Sequence, residues 1–330
     1  MTADVPTTAA LDADAPLPAW CRPQWGLLAA RAAQGALPHA LLLAGPAGLG
    51  KRAFAAAFVR ARLCDTPRDG YACGVCHACR LVAAGTHPDR LRVTLEDNPK
   101  THVPRREIVV DQIRALSARL ALASQLGGWQ VAVIDPADSM NAAAQNALLK
   151  TLEEPSAASL IVLIADQPSR LVATIRSRCQ RIDFVVPPTG VALEWLTAHG
   201  VEDASTLLEA AGGNPGLARE LAAHGGVARR REVARDLLAL TGGRAQARVL
   251  AKAWAEDEPV ERLEHAARLF HAALRARRTG AQARFDPGWD ALALTAAFAG
   301  AGRLRALLDG PLRGDLALFA WLDGLPRSRH

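Results

Sequence analysis

Four of the six cysteines fall in one short stretch, as Cys64-x8-Cys73-x2-Cys76-x2-Cys79. Thiolates at this spacing, with glycines among them to permit tight turns, suit a tetrahedral zinc site. His77 could replace one cysteine, but it lies between two of them and is expected to point outward. Four protein ligands leave no open coordination position, so the metal would be structural. Cys21 and Cys179 have no partners at metal spacing and are expected in the core. A second constellation is Gly45-Pro46-Ala47-Gly48-Leu49-Gly50-Lys51-Arg52, between an apolar run and a helical pattern. Glycines there let backbone N–H groups converge on phosphate at a helix N-terminus, and Lys51 adds a point charge. Gly45, Gly48, Gly50 and Lys51 are thus candidate ligands for ATP or ADP. The residue after that lysine should be Ser or Thr, whose hydroxyl holds Mg²⁺. Here it is Arg52, which cannot ligate a cation and would repel one. Asp135 stands where a metal-holding acid belongs, but Pro136 follows it, not the glutamate that would orient water. Nucleotide binding stays open on these residues; hydrolysis is not expected.

These groups need elements to hold them. Ala40–Ala44, Val131–Ile134, Leu160–Ala165 and Ile182–Val185 are short apolar runs that predict buried strands. Helical spacing extends from Arg52 to about Leu63, from Ile108 to Leu120, and from Asn141 to Glu153, which stops before Pro155. Trp20 to Pro38 reads as a helical entry whose Trp25, Leu27, Leu28 and Ala32 pack on the sheet. Leu171 to Arg176 reads as a helical turn leading to Ser177-Arg178-Cys179. Strand, crossover and strand between Val131 and Ala165 make a βαβ unit, which requires a parallel sheet. Val186-Pro187-Pro188 marks a boundary, after which Val191–Ala198, Ala204–Ala211 and Leu217–Ala223 predict three short helices. The rest is helical, with Leu263, Ala267, Phe270 and Leu274 in one stripe and Leu292, Ala296, Leu304 and Leu307 further along.

The 330 residues suffice for two or three domains, and no apolar run approaches the ~20 residues of a membrane helix. The opening MTADVPTTAALDADAP lacks a basic n-region and reads as a disordered tail on a cytoplasmic protein, which removes the disulfide alternative for the cysteines. A balance of 39 basic to 33 acidic residues permits nucleic-acid contact without arguing for it. Lysine occurs only at Lys51, Lys100, Lys150 and Lys252, so two of the four sit inside motifs.

NALLKTLEEP, followed about two dozen residues later by Ser177-Arg178-Cys179, resembles the bacterial replicative clamp loader, an AAA+ assembly. Gly85-Thr86-His87-Pro88-Asp89, after the cysteines, is a further family-like piece. The resemblance implies an α/β fold: an AAA+ P-loop parallel sheet over residues 18–187 with a zinc-module insertion at about 62–82. It also implies a small helical lid over 188–227 and a C-terminal all-α collar domain over 228–330, after a tail at 1–17. In that family the arginine of the Ser-Arg-Cys element projects from one subunit to the γ-phosphate bound by its neighbour. The resemblance therefore implies that Arg178 acts in trans. Ala165-Asp166 lacks the threonine with which the family's ATPases sense γ-phosphate, and Gly216 stands where they place a sensor arginine, with Arg219 one turn on.

The implied partners are motor subunits and a delta subunit in a pentameric ring, with the sliding clamp and primer–template DNA met through the complex. The chain would be an accessory subunit of a DNA polymerase holoenzyme, without ATPase or polymerase activity of its own, and part of its collar's apolar surface would be an interface. Two rivals remain. A motor subunit of the same loader would hydrolyse ATP through Lys51 and Asp135. A free-standing zinc-dependent nucleic-acid-binding protein would read DNA through the cysteine module, although Arg80 is the only Lys or Arg in or directly flanking Cys73 to Cys79.

Overall fold

Five strands pair in parallel throughout: Ala40–Ala44 (β1), Arg90–Val93 (β2), Gln130–Ile134 (β3), Ser159–Ala165 (β4) and Gln180–Asp183 (β5), in the order β2-β3-β4-β1-β5. The computed structural model describes residues 17–97, 105–223, 226–280, 285–308 and 313–327. The expected disordered tail, apart from residue 17, and Lys100 lie outside the described residues. The chain divides between Val186 and Pro187 into two compact units, each taken by itself below.

A parallel sheet must be covered on both faces, so its strands read as continuous apolar runs. β1 and β4 are buried at every residue. Alternation then sends neighbouring side chains into two different cores. Leu42, Ala132, Ile134, Ile161 and Leu163 join Ile113, Leu116, Leu148, Leu152 and Ile175 on one face. Those partners come from Val110–Leu120 (α4), Ala142–Glu153 (α5) and Ala173–Arg178 (α6). Leu41, Leu43, Val131, Leu160 and Val162 join Trp25, Leu28, Phe54 and Phe58 on the other, from Arg22–Ala33 (α1) and Lys51–Leu63 (α2). Among the described residues, the remaining α-helix of this unit is His77–Ala83 (α3), which begins inside the cysteine stretch. α2 leaves β1 across one face while α6 leaves β4 across the other, so the C-terminal ends of β1 and β4 form a topological switch point. In open α/β sheets ligands bind at such a switch point.

Several sequence expectations change. β2 was not expected, because Arg90 and Arg92 interrupt its apolar character; as an edge strand paired only with β3, it tolerates them. α1 ends at Ala33, and Leu27 points away from the sheet, 46% exposed. α6 includes Arg178 as its last residue, where the sequence suggested a turn ending at Arg176. The last strand begins two residues early, at Gln180, and stops at Asp183.

In the second unit Thr189–Ala198 (α7), Ala204–Ala210 (α8) and Pro215–Ala223 (α9) enclose Ala192, Leu196, Leu207, Leu208, Ala218 and Leu221. Gly226–Thr241 (α10) runs without a break across residues 227 and 228. With Ala247–Glu256 (α11), Pro259–Thr279 (α12), Ala291–Leu308 (α13) and Gly314–Asp323 (α14), it builds a core around Leu237, Trp254, Leu269, Phe270 and Leu294. The buried stripe of α12 is Leu263, Ala266, Leu269, Phe270 and Ala273, so Ala267 and Leu274 lie at its margin rather than at its centre. On α13 the expectation fails at Leu292, Ala296 and Leu307, which are exposed; Leu294, Ala297, Ala301 and Leu304 face inward. Among the described residues, no helix is long and apolar enough to cross a membrane.

His265 on α12 is fully enclosed. Glu261 lies 3.5 Å from its Nε2, but neither ring nitrogen has a hydrogen bond. Burial, followed by the charges of Arg268, Arg230, Arg229 and Arg262, lowers its pKa to about 3. The unfolded chain takes up this proton near pH 6.5 and the folded chain does not. Stability is therefore complete above pH ~6.5 and falls on acidification, by at most about 1.4 kcal/mol per pH unit from this group. Urea denaturation should show a smaller loss between pH 7 and pH 5.5 for His265→Leu than for the parent chain. Equal losses would remove His265 as the cause.

Candidate functional site

β1 ends at Ala44, and the chain turns at once through the glycine loop into α2. Gly45 has φ +144°, and a Cβ there would lie 2.1 Å from the backbone oxygen of Phe184. Only glycine allows this close approach. At the other end Gly50 takes φ +90° as the residue before α2. Trp20 Nε1 donates to Leu49 O at 3.0 Å, which ties the loop to the segment ahead of α1.

Lys51 opens α2 but points back into its own loop. Its Nζ donates to Gly45 O, to Pro46 O at 2.7 Å, and to Asp166 at 2.6 Å. An ammonium has three protons, and these acceptors use all of them. The side chain is 1% exposed. Burial lowers its pKa, against the pull of Asp166.

The next residue makes the second half of the arrangement. Arg52 meets Asp135 at 2.9 and 3.0 Å and Asp166 at 3.0 Å, so one guanidinium bridges the acids that follow β3 and β4. Burial alone would raise Asp166, but the Arg52 hydrogen bond and Lys51 hold it below the ordinary carboxylate value. Asp135 stays above that value because burial outweighs its pairing with Arg52. The sequence suggested that Arg52 repels a cation; in the structure its own positive charge is paired with both acids.

The structure also brings Cys64, Cys73, Cys76 and Cys79 together, with their Sγ atoms within 4.8 Å of one another. Cys64 follows the last turn of α2, and Cys76 caps α3, its sulfur accepting from Cys79 N at 3.3 Å. Cys73 N donates to Cys64 Sγ at 3.2 Å and Cys76 N to Cys73 Sγ at 3.4 Å. Such N–H···S bonds favour thiolates. A hydrogen bond with Thr66, joined by backbone donors, lowers the Cys73 thiol to about 5, whereas burial raises Cys79 to about 12. The Cys64–Cys76 sulfur separation of 3.8 Å matches the edge of a tetrahedron with metal–sulfur bonds of about 2.3 Å. The donor set therefore fits a metal ion, and His77 points to solvent, outside it. Tyr71 stacks on Trp25 of α1, with ring centroids 4.5 Å apart, and joins the cluster to the rest of its unit.

Arg178 stands apart from both groups. Its Nη1 donates to Thr174 O at 3.0 Å, and its Nη2 lies 2.6 Å from Glu153 Oε1. The side chain is 36% exposed. Cys21 and Cys179 are buried, and burial alone raises both thiols to about 12, as suits core cysteines. Arg219 rests over the Trp195 ring at 5.4 Å, inside the second unit.

A family model described as DNA polymerase III, delta subunit, matches residues 22–187. Over 239 residues the chain is 40% identical to DNA polymerase III subunit delta' of Pseudomonas aeruginosa, covering 71% of this chain and 70% of that one. The chain belongs to the DNA polymerase III delta-prime family. The delta' subunit of Escherichia coli is 37% identical over 205 residues, 61% of this chain and 60% of its own length. Among solved structures, a gamma subunit-related protein of Thermotoga maritima superposes with a TM-score of 0.46 at 16% identity, covering 91% of this chain and 97% of that one.

In this delta-prime family chain, two site residues escaped the sequence reading. Asp166 stood out only for the threonine missing beside it, yet it is the shared partner of Lys51 and Arg52. Glu153 lay inside NALLKTLEEP, the quoted motif, without a role. Nothing local could have found these pairings, because Asp166 is 114 residues from Arg52.

Proposed function

We propose that this chain is the delta-prime subunit of a bacterial clamp loader, without ATP hydrolysis of its own, and that it presents Arg178 to nucleotide held by a neighbouring motor subunit. The observation that carries this reading is the Lys51–Arg52–Asp135–Asp166 cluster. A hydrolysing P-loop needs a hydroxyl and an acid to hold Mg²⁺ between the β- and γ-phosphates, and a lysine free to reach them. Here Arg52 replaces the hydroxyl and occupies the acids, Lys51 is engaged by three acceptors, and Pro136 follows the acid of β3. Arg178 fits the complementary role, since a half-exposed guanidinium can neutralise charge that develops on a phosphoryl group held by another chain.

The cysteine cluster would hold a structural Zn²⁺, with four thiolates closing the coordination sphere. Within this reading residues 188–227 form the lid and 228–330 the collar that joins motor subunits and a delta subunit in a five-membered ring. The sliding clamp and primer–template DNA are met by that assembly in the cytoplasm, where the chain is a structural partner rather than a motor.

Purified alone with Mg²⁺ and ATP, the chain should show no turnover above background. Arg52→Thr should not restore it, because the Pro136 position still lacks a carboxylate. The same substitution should cost about 1–3 kcal/mol of stability, since Asp135 and Asp166 lose their shared partner. Reconstitution with motor and delta subunits should give clamp loading that fails when this chain is omitted. Steady ATP turnover by the purified chain would overturn the reading.

A further inference from the structure

The arginine at the end of α6 is not left to find its own direction. α6 has six residues, too few to be stable alone, and is fixed at both ends by α5. Near its start, Gln145 is buried, and its Oε1 accepts from Val172 N at 2.8 Å. The amide of Gln145 donates to Met140 O at 3.0 Å and Arg170 O at 3.3 Å, which holds the loop that leads into α6. Between the ends, Ile175 is fully buried against the sheet. At the far end, Glu153, the last residue of α5, takes the Nη2 of Arg178 at 2.6 Å while Thr174 O takes Nη1 at 3.0 Å.

We propose that Glu153 is a positioning residue for Arg178: it holds the guanidinium in the one orientation from which a neighbouring subunit's γ-phosphate is met. The inference rests on the trans-acting reading above. An arginine side chain has large rotamer freedom, which a phosphate must otherwise overcome when it captures the group. A guanidinium carries five N–H donors. Nη1 donates one to Thr174 O and Nη2 is ion-paired with Glu153, so at least three remain for phosphate oxygens without either anchor being broken. The pair is exposed, 36% on Arg178 and 49% on Glu153, where an ion pair adds little to folding stability. Its effect therefore lies in orientation rather than in holding the fold.

The test uses the full loader reconstituted with the parent chain, Glu153→Ala, Glu153→Gln, Arg178→Ala and the Glu153→Ala/Arg178→Ala double variant, assayed for ATPase with clamp and primed DNA. Glu153→Ala should lower kcat at the site served by Arg178 by about five-fold with KM for ATP unchanged, because orientation acts on the transition state and not on ATP binding. Glu153→Gln, which keeps an acceptor for Nη2, should fall less. The double variant should equal Arg178→Ala, since Glu153 acts only through that arginine. A parent-like kcat in Glu153→Ala, a raised one, or additive losses in the double variant would each overturn the proposal. So would loss of assembly by gel filtration, which would mark a structural role. If Arg178→Ala itself keeps full turnover, the trans-acting reading fails, and Glu153 has nothing to position. If Arg178→Ala loses turnover and Glu153→Ala does not, only the positioning role fails.

Discussion

Arg178→Ala is expected to abolish the share of clamp-loader ATPase that comes from the site this arginine faces, while the ring still assembles. A guanidinium supplied in trans to a transferred phosphoryl group contributes on the order of 10³–10⁵ in rate. Its removal should reduce turnover at that site to background, and total turnover by that site's contribution. Assembly should survive because the side chain is half-exposed and its partners are one carboxylate and one carbonyl. An exposed pair of this kind contributes about 0–1 kcal/mol. Arg178→Lys should be nearly as damaging, since an ammonium lacks the planar fork that matches phosphate oxygens. The measurement is steady-state ATPase of the reconstituted loader, with gel filtration for assembly. Turnover equal to the parent's in an intact ring would sink the trans role.

The second large effect concerns the cysteine cluster. Replacement of Cys76 by serine removes one of four donors and also the sulfur that caps α3 through Cys79 N. Structural zinc in small modules contributes about 10–16 kcal/mol of apparent binding energy. The stretch between Cys64 and Cys79 contains one short isolated bridge, between Arg68 and Tyr71, and α3 starts only at His77. With so little secondary structure of its own, it should depend on the metal for its shape. The parent chain should carry one zinc per molecule by mass spectrometry. Cys76→Ser should carry none and should be cut by protease within the module. The sheet and the second unit should keep their own melting transitions, because neither core includes the four sulfurs beyond the contacts of α2 and α3. A parent chain that carries no metal, and whose module resists protease equally with and without chelator, would exclude the zinc site.

What could be read without coordinates follows from where the forces are local. β1, β3 and β4 are buried on both faces, so their sequences are continuous apolar runs whatever their partners. The glycine loop was legible because a positive φ and a close backbone approach leave few residue types possible, and Gly45 meets Phe184 O for that reason. The cysteines were legible because metal geometry limits their spacing. β2 was hidden because an edge strand needs little apolar surface, and Arg90 and Arg92 obscure its type. Leu27, Leu292 and Leu307 misled because alanine-rich helices leave the angle of the buried stripe weakly specified. On α13, alanines such as Ala297 and Ala301 supply much of the inward face.

By itself the sequence determined which residue types were available for chemistry: four closely spaced thiols, a glycine loop ending in a lysine, and an arginine where a hydroxyl would follow that lysine. Those are matters of residue type at short spacing. Only the tertiary structure decided which charged groups meet around that loop. Parallel strand order carries the ends of β1, β3 and β4 to one edge of the sheet, so Arg52, Asp135 and Asp166 meet although 83 and 114 residues separate the arginine from its acids. The same packing sets the last residue of α5 beside the last residue of α6, which gives Arg178 a carboxylate partner. Charges so distant in the chain find one another only after burial of apolar strands has placed them.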